Sequence, residues 1–140
     1  MSLNICFVAS EVAPLAKTGG LADVAGALPH HLLQRGHDIR LFMPLYSSID
    51  RQRLNCVAID HARDIQVRFR DQTYSYSLLA SQLPNGVPLY LVDCPQAYAR
   101  NSLYTSDADE HRRFLILQRA ALDGCQRLGF APDIIHCNDW

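Results

Sequence analysis

The sequence predicts an α/β fold: a Rossmann-like parallel sheet that carries an antiparallel hairpin insertion. Three observations predict it. Two near-continuous apolar runs, Leu3–Ala9 (LNICFVA) and Val87–Asp93 (VPLYLVD), have the composition of strands covered on both faces. A helix-period pattern joins the first run to a further strand-like stretch, His37–Pro44, so the chain opens as a right-handed, parallel β-loop-α-β unit. The stretch from Leu54 to Ala80 instead alternates polar and apolar residues, with a polar break at Arg70-Asp71-Gln72. That is the pattern of a partly exposed antiparallel hairpin.

The first helix is expected over Leu21–Gln34, where Leu21, Val24, Ala25, Leu28 and Leu32 fall on one helical face. Pro29 inside the pattern should kink it or end its first segment, and Gly36 should close it. A turn-rich segment, Cys94–Ser106, precedes a second long helix over Asp107–Leu128. A last short strand, Asp133–Cys137, ends on the polar residues Asn138 and Asp139. Without repeats or linker-like tracts, one domain is the simplest organisation. The final strand would normally be covered by a crossover helix, so the sequence reads as truncated after Trp140.

Composition sets bounds on function. Apolar residues make up 49% of the 140 positions and charged residues 19%, a globular balance. With 13 Lys plus Arg against 14 Asp plus Glu, nothing favours nucleic acid or an anionic membrane, and any anion site must be local. The five cysteines are scattered, with no C-x-x-C pair, which argues against a disulfide framework or a zinc ribbon. Cys6, Cys56 and Cys137 lie in apolar runs, where a free thiol acts as a small hydrophobe. The opening apolar run is short, lacks a basic flank and is interrupted by Glu11 and Pro14, so it reads as a strand and not a signal peptide. With no span-length apolar window, a reducing, cytoplasmic setting is expected.

In open α/β sheets, ligands bind at the carboxyl ends of the strands. Three polar clusters fall there: Glu11 with the Lys17-Thr18-Gly19-Gly20 loop; Asp93, Tyr98, Arg100 and Tyr104; and Asn138, Asp139 and Trp140. The Lys17 loop matches neither G-x-x-x-x-G-K-[ST] nor G-x-G-x-x-G. Taken alone it reads first as a tight strand-to-helix turn beside a solvated lysine. The other reading is an anion site, with Gly amides at a helix N-terminus next to a cation. Asp23, in the first turn of the same helix, serves equally as a plain dipole partner. Asp107-Ala108-Asp109 has the D-x-D form that holds metal-bound sugar nucleotides, yet it opens a helix, where Asp is a favoured cap. His136 and Cys137 are neighbours on a strand and point to opposite faces, so they make a poor metal pair. His30 and His31 have no visible partners, and Arg112 and Arg113 read as a solvated face.

Together the clusters do have a counterpart. KTGGLADVAGALP, after ICFVASEVAPLAK, closely resembles the start of bacterial glycogen synthases and plant starch synthases, with their K-x-G-G-L motif. YLVDCPQAYAR is similar to their Y-L-[IV]-D-x-P-x-x-Y-x-R segment, and PDIIHCNDW to P-D-[IV]-[IVL]-H-x-[HN]-D-W. The resemblance implies the incomplete N-terminal, acceptor-side domain of a GT-B fold. It also implies a retaining enzyme that transfers glucose from ADP-glucose to the non-reducing end of an α-1,4-glucan, with no metal and no other cofactor. It assigns Lys17 to ADP-glucose binding and Gly19 and Gly20 to the neighbourhood of the diphosphate and transferred sugar. Asp23 and Asp139 match catalytic positions, and Tyr104 and His136 match substrate-binding ones. The partners it implies are ADP-glucose, the glucan and a second, C-terminal domain.

Two other readings compete. One is a non-catalytic α-glucan-binding or regulatory module, with Trp140, Tyr98 and Tyr104 as stacking surfaces; the other is a metal-dependent transferase using Asp107 and Asp109. The 140-residue chain alone is expected to be inactive and of low stability, because Ile134 and Ile135 on the last strand would stay exposed. Each wet side chain forfeits roughly 1.5–3 kcal/mol.

Overall fold

A computed structural model describes all residues from Met1 to Trp140. Its strands are β1 (Asn4–Val8), β2 (Asp38–Pro44), β3 (Val57–Ala58), β4 (Ile65–Arg68), β5 (Thr73–Gln82), β6 (Pro88–Asp93) and β7 (Ile134–Cys137). The helices are α1 (Gly20–Gln34), the single turn α2 (Pro95–Tyr98) and α3 (Glu110–Arg127). The sheet order is β3-β5-β6-β2-β1-β7, with β4 paired to β5 beside β3. From β6 to β7 all neighbours are parallel, whereas β5 joins β6, β3 and β4 antiparallel. The sheet is therefore a parallel core with an antiparallel wing, as the apolar and alternating stretches predict. The wing's hairpin turns where Phe69 N–H donates to Gln72 O, at the polar break.

Topology fixes where a ligand can sit. The chain steps one way along the sheet from β1 to β2 and the other way from β6 across to β7. Right-handed crossovers then place α1 and α3 on opposite faces. The direction reverses between β1 and β7, so their carboxyl ends bound the crevice where such sheets bind ligands.

The core is the sheet's apolar side chains with one stripe of each helix, and Phe7, Phe42, Met43, Leu78 and Leu89 are fully enclosed. Helix α1 departs from expectation in two ways. It runs unbroken through Pro29, whose ring lies on the buried side. Its buried stripe is Ala22, Ala25 and Pro29, while Val24 is 50% exposed. Small residues win that face because a loop lies against it: Ala13 N–H donates to Ala22 O, and a Cβ on Gly26 would sit 2.7 Å from Ala13 O. The helix ends as predicted, at Gly36 (φ +88°). His37 N–H donates to Leu32 O and Gly36 N–H to Leu33 O, closing the last turn.

At the other helix two expectations fail. Asp109 occupies the N-cap position of α3, but its carboxylate makes no cap; it binds Arg100 and Tyr74 instead. Arg113 is not on a solvated face but fully buried, and Arg112 pairs with Asp71 while lying over the Phe69 ring. All five cysteines are free, yet Cys137 is exposed and not a core residue. Ile134 and Ile135 are 43% and 45% exposed, as expected for a bare edge strand. No helix is long and apolar enough to cross a membrane.

Candidate functional site

The first site element is the connection from β1 to α1. Beyond Val8 the chain stays buried through Ser10, Glu11 and Val12, then folds back so that Val12 pairs with Ala16. This tight return delivers Lys17 to the mouth of the crevice. Its Nζ donates to both Asp23 carboxylate oxygens, at 2.8 and 2.9 Å, with the side chains 53% and 59% exposed.

Glu11 organises the loop. It is 2% exposed, and its carboxylate accepts from Thr18 Oγ1, Gly19 N (3.1 Å), Ala22 N (3.3 Å) and Tyr104 OH (3.0 Å). Gly19 itself offers α1 no side-chain cap, so Glu11 supplies one from eight residues away. Burial pushes the carboxyl up, but these four donors more than offset it and hold Glu11 below the usual glutamate range. The Gly19 amide therefore points inward.

The two glycines are not required by the fold. Gly19 is extended (φ −162°, ψ −163°), and the nearest atom to a Cβ there would be Glu11 Oε1 at 4.0 Å. A Cβ on Gly20 would meet nothing within 4 Å. Neither backbone strain nor crowding by protein atoms explains glycine at these positions, which leaves the space above the α1 N-terminus open.

The second element is the Tyr104 loop, and it arrives by being tied down. Arg113 Nε donates to Ala97 O and Nη1 to Leu103 O, while Glu110 accepts from Thr105 N and Oγ1. The residues on both sides of Tyr104 are thus fixed to the first turn of α3. The Tyr104 hydroxyl lies 2.8 Å from Ser10 Oγ and gives its proton to Glu11. Burial, and then the facing Glu11 carboxylate, push its pKa up to about 12, so it remains a donor.

The third element follows β7. Asn138 Nδ2 donates to Val8 O, tying the turn to β1, and Asp139 adopts a left-handed φ of +62°. Trp140 stacks on Phe114 (4.7 Å, 22°) and lies 6.1 Å from the Tyr104 ring. Asp139 and Trp140 line a groove of about 360 Å³ with Val8, Ala121, Leu122 and Ile135.

Of the residues singled out in the sequence, Lys17, Gly19, Gly20, Asp23, Tyr104 and Asp139 therefore gather around the β1–β7 crevice. His136 lies apart: its ring stacks on Phe7 (4.5 Å, 9°) across the paired strands, on the face of the sheet. Three members of the second cluster do not reach the site. Asp93 pairs with Arg51, and Arg100 with Asp107 and Asp109. Tyr98 is fully buried, donating to Arg113 O, and cannot offer a stacking surface. Sequence reasoning missed what Glu11 and Arg113 do. The available signal was Glu11 itself, the one charged residue in the largely apolar stretch FVASEVAPL.

Fold and crevice define an α/β domain of the ligand-binding, doubly wound kind. Residues 4–140 match the family model of the starch synthase catalytic domain, and the chain belongs to that family. It is 47% identical to a glycogen synthase of Photobacterium profundum over 99% of its own length and 27% of that protein's. It is 45% identical to one of Aeromonas salmonicida, covering 29% of it. A solved structure, the catalytic domain of starch synthase IV from Arabidopsis thaliana bound to ADP and acarbose, superposes with a TM-score of 0.86 at 30% identity. That match covers all of this chain and 28% of the solved plant chain. The chain thus spans little more than a quarter of the length of these relatives.

Proposed function

We propose that this chain forms the acceptor-side N-terminal part of a GT-B glucosyltransferase. The enzyme moves glucose from ADP-glucose to the non-reducing end of an α-1,4-glucan with retention, in the cytoplasm, and works across a cleft from a second domain. Family membership supports the reading, as does the plant relative, which was solved with ADP and acarbose bound. The observation that carries it to named residues is the pair of glycines. The fold needs a side chain's absence at neither Gly19 nor Gly20, so the open space belongs to a ligand.

In this reading the Gly20 amide, at the positive end of α1, and the Lys17 ammonium face the diphosphate of the sugar nucleotide. As the glycosidic bond breaks, negative charge grows on the departing phosphate, and donors already in place stabilise it without reorganising. Asp23 holds Lys17 until the anion arrives. Tyr104, Trp140 and Asp139 form the wall on the acceptor side, and the departing phosphate itself takes the proton of the attacking hydroxyl. His136, on the sheet face, belongs to the support beneath that wall.

The test is glucose transfer from ADP-glucose to glycogen by the full-length protein carrying this segment. Gly20→Ala should leave the melting temperature in place, since the Cβ meets no protein atom, while raising the KM for ADP-glucose at least tenfold. Absence of transfer by the unaltered protein, or an unchanged KM in Gly20→Ala, would sink the reading.

A further inference from the structure

Glu11 is the one carboxylate that touches two of the three site elements at once. Its Oε1 holds the Gly19 and Ala22 amides at the start of α1, and its Oε2 holds the hydroxyls of Thr18 and Tyr104. Tyr104 in turn contacts Ser10 and lies against Phe114 and Trp140, the end of the third element. Ser10 also meets Tyr104, but it binds no part of the Lys17-Thr18-Gly19-Gly20 loop through its side chain. Lys17 and Asp23 bind only each other, and Asn138 binds β1, so Glu11 alone joins that loop to the aromatic wall.

A helix cap alone does not require this arrangement. Capping needs one or two amides satisfied, and a short polar residue at position 19 would do it locally. Instead position 19 is glycine, and a buried acid reaches across from the end of β1. Its second oxygen faces away from the helix amides and toward the tyrosine. The carboxyl's depressed pKa keeps it charged, and the tyrosine's raised one keeps its proton in the bond, so the tie is intact across the physiological range.

We infer that Glu11 is a positioning residue that locks the Lys17-Thr18-Gly19-Gly20 loop and the Tyr104–Trp140 wall into one rigid body, so that donor sugar and acceptor hydroxyl meet in a fixed relation. The inference rests on the proposed transferase reading for its kinetic consequence only. Its structural content, that Glu11 controls where Tyr104 and Trp140 lie, stands on the hydrogen bond to Tyr104 and on the ring contact of Tyr104 with Trp140. Misalignment of reacting groups is felt in turnover more than in binding.

The test uses the full-length protein labelled with 5-fluorotryptophan, the Trp140 signal being assigned by its loss in Trp140→Phe. Glu11→Gln preserves shape and removes charge. Tyr104→Phe cuts the same tie from the other end and serves if the first variant folds poorly. Both should shift or broaden the Trp140 fluorine signal, and the double variant should move it no further. Both should lower kcat about tenfold with ADP-glucose and glycogen, again without further loss in the double variant. Glu11→Gln, at a buried residue behind the acceptor wall, should change the KM for glycogen less than twofold. An unmoved Trp140 signal in both single variants overturns the inference, as do kinetic losses that multiply in the double variant. If the unaltered protein transfers no glucose, the transferase reading falls, and the fluorine spectra alone decide the role of Glu11.

Discussion

Two polar regions border the same edge of the sheet, and they use their charges in opposite ways. Around the start of α3, Arg100 binds Asp107, Asp109 and the Gln96 carbonyl, Asp109 also accepts from Tyr74, and buried Arg113 binds Glu110 and two carbonyls. Nearly every charge there has a partner inside the protein. Around the start of α1, Lys17 and Asp23 hold each other in the open, and Gly20 faces empty space. Composition alone does not separate these regions, since D-x-D looks at least as functional as K-x-G-G. What separates them is how far the polar groups are used up: the α3 region has spent all but the buried Arg113 Nη2 on its own loop, and the α1 region has an exposed pair and an open helix end left for a ligand.

The largest effect on stability should come from the saturated region. Replacing Arg113 by Met leaves Glu110 without its cation and two loop carbonyls without a donor, all around a side chain that is fully buried. Breaking one side of a buried pair costs about 3–5 kcal/mol. Urea or thermal unfolding of Arg113→Met should show a loss of that order, and a loss below about 1 kcal/mol would break the comparison at its stronger end.

Glycines sharpen it next. Gly26 and Gly124 are packing glycines: a Cβ would sit 2.7 Å from Ala13 O in one case and 2.9 Å from both Leu78 and Phe42 in the other. Alanine at either should cost about 1–3 kcal/mol by overpacking. Gly26→Ala should be the worse tolerated, because the clash is with backbone. If it melts like Gly20→Ala, open and crowded glycines are not distinct classes here.

The same contrast marks how far the sequence could be read. Buried strands, the hairpin break and the Gly36 stop rest on local patterns, and they sit where the pattern put them. The face of α1 does not, because Ala22 and Pro29 are turned inward by the loop folded over them, a tertiary contact with no periodic signal. Likewise Arg113 reads as surface charge until the carbonyls of Ala97 and Leu103 are placed around it. The site's outer residues were legible through their motifs. Its organiser, Glu11, was not, since its partners at Gly19, Ala22 and Tyr104 come together only in three dimensions.

Acid should weaken the saturated region through its paired carboxylates. The Arg100 guanidinium holds the Asp109 carboxyl well below its ordinary 3.8. Burial pushes Glu110 up, but donors on Thr105 and Arg113 bring it net below 4.5. A carboxyl whose folded value is depressed contributes stability that is present above its unfolded value and lost as pH falls through the folded one. The melting temperature should therefore drop as pH falls below about 4. Asp109→Asn should cost about 1–3 kcal/mol at pH 7, and its gap from the unaltered protein should narrow steadily between about pH 4 and pH 2. A gap independent of pH would mean that Asp109 acts by shape and not by charge.

The smallest effect on stability is expected at the residue with the largest expected role in turnover. Lys17 and Asp23 form a pair that is more than half exposed at both ends. Such pairs contribute about 0–1 kcal/mol, less in salt. Lys17→Gln should leave the melting temperature of the chain within a degree or two, because no buried group loses a partner and Asp23 returns to water. In the full-length protein the same change should cut kcat/KM for ADP-glucose by about 10²–10³, the usual scale for removing one preorganised charge donor. The two readouts must separate. If Lys17→Gln destabilises the fold as much as Arg113→Met does, the lysine is a structural clasp on α1. If instead it melts normally and still transfers glucose at full rate, the open region is no anion site and its emptiness has another cause.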